Sequence, residues 1–147
     1  MSMDREAGDF MKHQSLIQEL IDYFRQEGYN VMTADGIEGY SIPIELQNNG
    51  YGDQEDKIPD IYGFSLKDQR YIIGEAKTGA NDFDTEESIT QYNVFADQTH
   101  PVLNRQALAF FIIPSSKVGE FQSIITHYVH REYWQNIIVV QSKKWVE

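Results

Sequence analysis

The chain has 147 residues, no cysteine, 41% apolar residues and a formal net charge of −11. That length suits one domain with a real core, which 8 Phe, 9 Tyr and 2 Trp help to fill. The missing cysteines exclude disulfides, thiolate-ligated zinc and thiol catalysis, and the acidity argues against broad, non-specific nucleic-acid affinity.

Residues 1–12 are polar and are expected to be mobile. Residues 1–6 form no apolar leader, and no run approaches a membrane span, so the expected setting is cytoplasmic, away from membranes. Leu16, Ile17, Leu20, Ile21 and Phe24 recur at helical spacing, which predicts a helix from about His13 to Glu27, ended by Gly28. A strand then starts over Tyr29 to Thr33. Tyr40 to Leu46 alternates like a strand, but Pro43 restricts it to an edge or an irregular path. Gln47 to Asp53 is turn-rich and reads as a hairpin tip or a flexible loop.

Two strands are predicted over 58–65 and 70–77, joined by Lys67-Asp68-Gln69, with a loop at 78–81. Asp84 or Thr85 caps a second helix, and Glu87 is spaced for a capping-box contact with Asp84. Its apolar stripe is Ile89, Tyr92, Phe95 and Ala96, and it ends before Pro101. Ala107 to Ile113 is a continuous apolar run, as expected of a strand covered on both faces. Val118, Phe121, Ile124, Ile125, Tyr128 and Val129 mark a third helix, and Ile137 to Val140 a last buried strand. The order implies an α/β domain. Its sheet is mixed, with an early antiparallel hairpin and a late parallel pair joined by a right-handed crossover.

Chemistry concentrates on the hairpin. Asp60 lies in Ile58-Pro59-Asp60-Ile61-Tyr62-Gly63, and Glu75 and Lys77 lie in Tyr71-Ile72-Ile73-Gly74-Glu75-Ala76-Lys77-Thr78. Side chains alternate along a strand, so Tyr71, Ile73, Glu75 and Lys77 share one face, with Ile72, Gly74 and Ala76 on the other. Two carboxylates and an ammonium can then converge at the end of a strand pair. Clustered acids repel unless a cation sits between them, which suits a hard divalent ion with oxygen ligands. The same residues also suit an ordinary hairpin, with Asp60 as a turn acid and Glu75–Lys77 as an ion pair. That reading leaves charges in an otherwise apolar strand.

Pro59-Asp60 followed by Glu75-x-Lys77 resembles the PD-(D/E)XK phosphodiesterase superfamily. This group includes restriction endonucleases, Holliday-junction resolvases and repair nucleases. The resemblance spans roughly residues 13–141 and implies a restriction-endonuclease-like αβββαβ core. It also implies a Mg²⁺- or Mn²⁺-dependent endonuclease acting on nucleic acid, with DNA the first expectation. Asp60, Glu75 and the backbone carbonyl of Ala76 would hold the metal, and Lys77 would orient the attacking water or stabilise the phosphate. Accessory candidates are Glu19 on the first helix, Gln91 on the second, and Thr78 directly after the motif. Glu19 also reads as a solvated flank residue, Gln91 as a surface glutamine and Thr78 as a strand-end threonine.

The charge is uneven: residues 1–100 carry 20 acids against 7 bases, and residues 101–147 carry 3 against 5. A nuclease can thus bind through its C-terminal portion or be recruited by a partner, and most of the acids read as a solubilising surface. Trp134, or Trp145 beside Lys143-Lys144, can stack bases or pack in the core or an interface. Cutting both strands of a duplex calls for two sites, hence a homodimer. His127 and His130 lie off the third helix's apolar stripe and are expected to be solvated. No histidine pair has a metal-binding spacing. The competing class is a binding module that keeps the fold without catalysis. An acidic surface that engages a basic partner is a third reading.

Overall fold

The computed structural model describes the backbone of residues 2–147 and side chains from residue 8 onward. Helix α1 (Ser2–Gln26) starts well before the expected His13, so the polar segment described from Ser2 onward continues the helix. Its stripe of Leu16, Ile17, Leu20, Ile21 and Phe24 is fully buried. Gly28 adopts φ 78°, and the Tyr29 N–H donates back to the Phe24 carbonyl at 2.9 Å, closing the helix in the usual glycine-terminated way.

Five strands form one mixed sheet in the order β1-β2-β3-β6-β7: Asn30–Ala34, Ile61–Ser65, Arg70–Ala76, Leu108–Ile113 and Ile137–Gln141. β1, β2 and β3 are antiparallel neighbours, whereas β3–β6 and β6–β7 are parallel. Helices α2 (Glu86–Ala96) and α3 (Val118–Tyr128) supply the two crossovers. The chain is thus α/β, with α1 covering one face of the sheet and α2 and α3 the other. The alternation of β3 and β6 feeds both cores. Ile72, Ala76, Phe110 and Ile112 pack with α1, while Ile73, Ala109, Phe111 and Ile113 pack with Tyr92, Phe95, Phe121 and Ile125. All six residues of β6 are buried, as its unbroken apolar run requires.

Several local expectations need correction. Tyr40 to Leu46 is not a strand; apart from the antiparallel Leu46–Lys57 bridge it is irregular. The turn-rich segment beyond it is pegged in place. Asn48 Oδ1 accepts from the Gly50 and Tyr51 N–H groups, and the Tyr51 hydroxyl donates to Asp97 at 2.6 Å. Thr85 is the α2 cap, its hydroxyl accepting from the Ser88 N–H at 3.0 Å. With the cap there, Ser88 rather than Glu87 occupies the third helical position, so no Asp84–Glu87 box forms. β7 is half-buried because it is an edge strand, not a central one. A two-stranded ribbon, β4 (Thr99–His100) with β5 (Arg105–Gln106), lies between α2 and β6 and was not predicted.

Gly63 in β2 marks the tightest approach in the antiparallel half. A Cβ there would lie 2.3 Å from the Asn30 carbonyl oxygen, beside the bulge between Val31 and Thr33. That obstacle is backbone and cannot swing away. Gly63→Ala is therefore expected to cost ~1–3 kcal/mol, read from the midpoint of urea unfolding at unchanged slope. No helix among the described residues is long and apolar enough to cross a membrane.

Candidate active site

The register of β2 and β3 builds the site. Ile61 pairs with Gly74, which brings Asp60, just before β2, opposite Glu75 on the same face of the sheet. The Asp60 N–H donates to Glu75 Oε1 at 3.1 Å, and Asp60 Oδ2 accepts from the Ala76 N–H at 2.8 Å. Each carboxylate is thus fixed by the backbone of the other's strand. Asp60, Glu75 and Lys77 are 7%, 3% and 7% exposed, so the three charged groups are all largely withdrawn from water.

Lys77 continues the same face beyond the end of β3. Its Nζ lies 3.6 Å from Glu75 Oε2 and donates to Ser88 Oγ at 3.0 Å and Gln91 Oε1 at 2.5 Å. Both of these partners stand on α2, one turn apart. The Ser88 hydroxyl in turn donates a hydrogen bond to the Asp82 carbonyl at 2.6 Å. The ammonium is therefore aimed by a helix as well as by its strand. Asp60, Glu75, Ala76, Lys77, Ser88 and Gln91 line one open cleft of about 440 Å³.

The electrostatics of the cleft are unbalanced. Burial pushes the Glu75 carboxyl well above the ordinary carboxylate range, and the adjacent Asp60 charge pushes it further, with Lys77 opposing. His13, from α1, adds a group that the sequence reading left out. Its Nε2 lies 3.3 Å from Asp60 Oδ2. Burial works against its protonation, but the hydrogen bond and charge of Asp60 outweigh this and raise its pKa. The available signal was position: His13 precedes Leu16 and Ile17 by about one helical turn, on the flank of the stripe that faces the strand ends.

No family model, no curated protein and no solved structure matches this chain.

The remaining candidates separate cleanly. Gln91 reaches the site through Lys77. Thr78 is buried and serves the loop after β3: its N–H and hydroxyl both donate to Asp82 Oδ2, at 2.7 and 3.0 Å. Glu19 is turned elsewhere, accepting from Ser142 Oγ and the Lys143 N–H, each at 2.7 Å, so it anchors the segment after β7. Trp145 packs against α1, its Nε1 donating to Ser15 Oγ at 3.1 Å. Trp134 is more exposed and donates to the Val129 carbonyl. His127 and His130 are exposed, as their spacing implied.

Among the described residues no group of three His, Asp or Glu side chains is placed to hold a metal alone. The carboxylates that meet across the strand pair are Asp60 and Glu75, and Ala76, Asp82 and Glu87 line the same cleft. The surroundings carry both signs: Asp82 and Glu87 line the same cleft as Lys77 and His13. The segments leaving the C-terminal ends of β3, β6 and β7 carry Lys77, Lys117 and Lys143-Lys144. Lys12 stands close enough to Lys117 that, after burial, this neighbour is the next cause of its lowered pKa. Lys117 also reaches back to the Gly79 carbonyl at 3.3 Å, beside the loop that follows Lys77.

Proposed function

We propose that this chain is a divalent-cation-dependent phosphodiesterase acting on nucleic acid, with the PD-(D/E)XK arrangement and a restriction-endonuclease-like core. The observation that carries this reading is the meeting of Asp60 and Glu75, from paired strands, in an open cleft with Lys77 3.6 Å from Glu75. The element order α1-β1-β2-β3-α2-β6 supports the same reading.

The donor set fits Mg²⁺ or Mn²⁺. Two carboxylates held side by side by backbone hydrogen bonds, with one forced toward its neutral form, gain most from a hard cation between them. Asp60 and Glu75 would hold it, with the Ala76 carbonyl as a third oxygen. Such an ion supplies Lewis acidity toward a phosphoryl oxygen and lowers the pKa of a bound water. Lys77, held by Ser88 and Gln91, presents a fixed positive charge where negative charge builds on the phosphorus oxygens. His13 holds Asp60 from the α1 side, and the hydrogen bond and charge of Asp60 favour its protonated form. Lys77, with Lys117 reaching the Gly79 carbonyl of the loop that follows it, offers positive charge to a phosphate on an otherwise acidic protein.

The deciding experiment incubates the protein with Mn²⁺ or Mg²⁺ and single-stranded, duplex, flap and junction forms of DNA and RNA. Metal-dependent cleavage that Asp60→Ala abolishes is the expected result. A folded, metal-loaded wild type inert on every form overturns the reading in favour of a binding module. Sedimentation at high micromolar concentration tests the homodimer that double-strand cutting calls for.

A further inference from the structure

The opposite end of the sheet holds a second cluster that the proposed chemistry does not use. Arg70 opens β3 and Arg105 opens β5. Together with Asn104, Gln106, Gln135 and Asn136 they line an open pocket of about 370 Å³. β3 runs from Arg70 to Ala76, which puts this pocket about 20 Å from the Asp60–Glu75 cleft at strand rise.

Arg70 is fixed in orientation. Its Nε donates to the Gln106 carbonyl at 2.7 Å and its Nη2 to Asn136 Oδ1 at 3.0 Å. Asn136 is fully buried, and its amide nitrogen is in turn tied to the Ala96 carbonyl and Gln106 Oε1. Arg105 uses Nη1 to hold the Asp68 carbonyl at 2.8 Å. Among the described residues neither guanidinium is paired with a carboxylate. Asp68 is the acid whose field reaches Arg70, and its Oδ2 is already engaged by Ser65 Oγ at 2.7 Å. Each arginine carries five N–H donors, so several remain for a ligand.

Two guanidiniums left without counter-ions are an unusual expense in a chain of net charge −11. The lining side chains are all amides or guanidiniums, with no carboxylate to repel an anion. Burial, and then the nearby Arg105 charge, lowers the Arg70 pKa, a cost that a bound anion offsets. A forked guanidinium matches the oxygens of a phosphate group better than it matches a spherical ion.

We propose that the Arg70–Arg105 pocket is a second binding site that takes one phosphate group, separate from the Asp60–Glu75 cleft. The phosphate belongs either to a nucleic-acid backbone or to a free phosphorylated small molecule.

The test titrates inorganic phosphate into the metal-free protein and follows the Arg70 Nε–H resonance, with chloride at matched ionic strength as the reference. Saturable displacement of that resonance by phosphate alone is expected. Arg105→Gln is expected to weaken it about tenfold, one charge-assisted hydrogen bond being worth that much. Arg105 is exposed and its replacement spares the Asn136 anchor, so this variant should fold; the more disruptive Arg70→Gln is not needed. The proposal fails if phosphate acts no differently from chloride, or if Arg105→Gln binds phosphate as tightly as the wild type. Displacement of phosphate by an oligonucleotide lacking terminal phosphates identifies the backbone as the source. Its failure to displace assigns the pocket to a free phosphorylated ligand. Manganese calorimetry on the same variant is expected to be unchanged, which keeps this outcome independent of the cleft.

Discussion

Lys77→Ala is expected to slow metal-dependent phosphodiester cleavage by about 10²–10³-fold, the loss typical of one preorganised charge removed from a transition state. Manganese affinity should change little, because an ammonium is not a ligand. The structure gives this contrast its force. Lys77 is 7% exposed, and Ser88 and Gln91 hold its Nζ beside Glu75. A group so fixed spends little reorganisation energy when charge appears next to it. The same three partners would also suit a purely structural ion pair, and rate and stability measured together decide between the roles. A structural lysine predicts a destabilised protein whose remaining folded fraction cleaves at the wild-type rate per molecule. A catalytic one predicts a slow enzyme that is folded and still loads metal. Gln91→Ala offers a graded check: it frees the Nζ without removing it, so its effect should fall between wild type and Lys77→Ala.

The site's carboxylates and lysine were legible in the sequence because their placement follows from two rules. Strand alternation puts Glu75 and Lys77 on one face, and a short hairpin sets Asp60 opposite Glu75. The helical stripe of α1 and the doubly covered run of β6 were readable for the same reason: period and burial agree. What was not legible depends on the third dimension. His13 meets Asp60 because α1 crosses the sheet at one particular angle, and Glu19, six residues on, meets the segment after β7 instead. Helix period alone does not say which flank faces which strand end. The half-burial of β7 reflects its place at the sheet edge, which an apolar run does not encode. The loop after Leu46 read as a hairpin tip or a flexible loop, and the antiparallel Leu46–Lys57 bridge closes it as a tip would be. Its turn residues make side-chain-to-backbone bonds that order it. The Arg70–Arg105 pocket joins strand starts far apart in sequence and left no local pattern.

The site should also show itself without any catalysis, through stability. Asp60 and Glu75 are both nearly inaccessible and lie against each other, and among the described residues Lys77 and His13 are the cations within ion-pair distance of them. A buried pair of acids is a cost to the metal-free fold, retained where it serves a ligand. A cation bound only by the folded state repays it: at 100 times its dissociation constant it adds about 2.7 kcal/mol. For a domain of this size that corresponds to roughly a 5–10 °C rise in the unfolding midpoint. Saturating Mn²⁺ is therefore expected to raise the wild-type midpoint by that amount, and calorimetry should show a matching binding isotherm. Glu75→Gln keeps the shape of the side chain and an oxygen that can accept from the Asp60 N–H, but removes one of the two charges. Its metal-free midpoint should equal or exceed the wild-type value, while the Mn²⁺-induced rise disappears. Ca²⁺ and Mg²⁺ should follow the same pattern at their own affinities, and a chelator should reverse the wild-type shift. Two outcomes would count against a cation at this site. One is a Mn²⁺ shift of equal size in both proteins, which would place the ion elsewhere. The other is a Glu75→Gln protein that is less stable without metal, which would make the carboxylate pair a structural asset held together by Lys77.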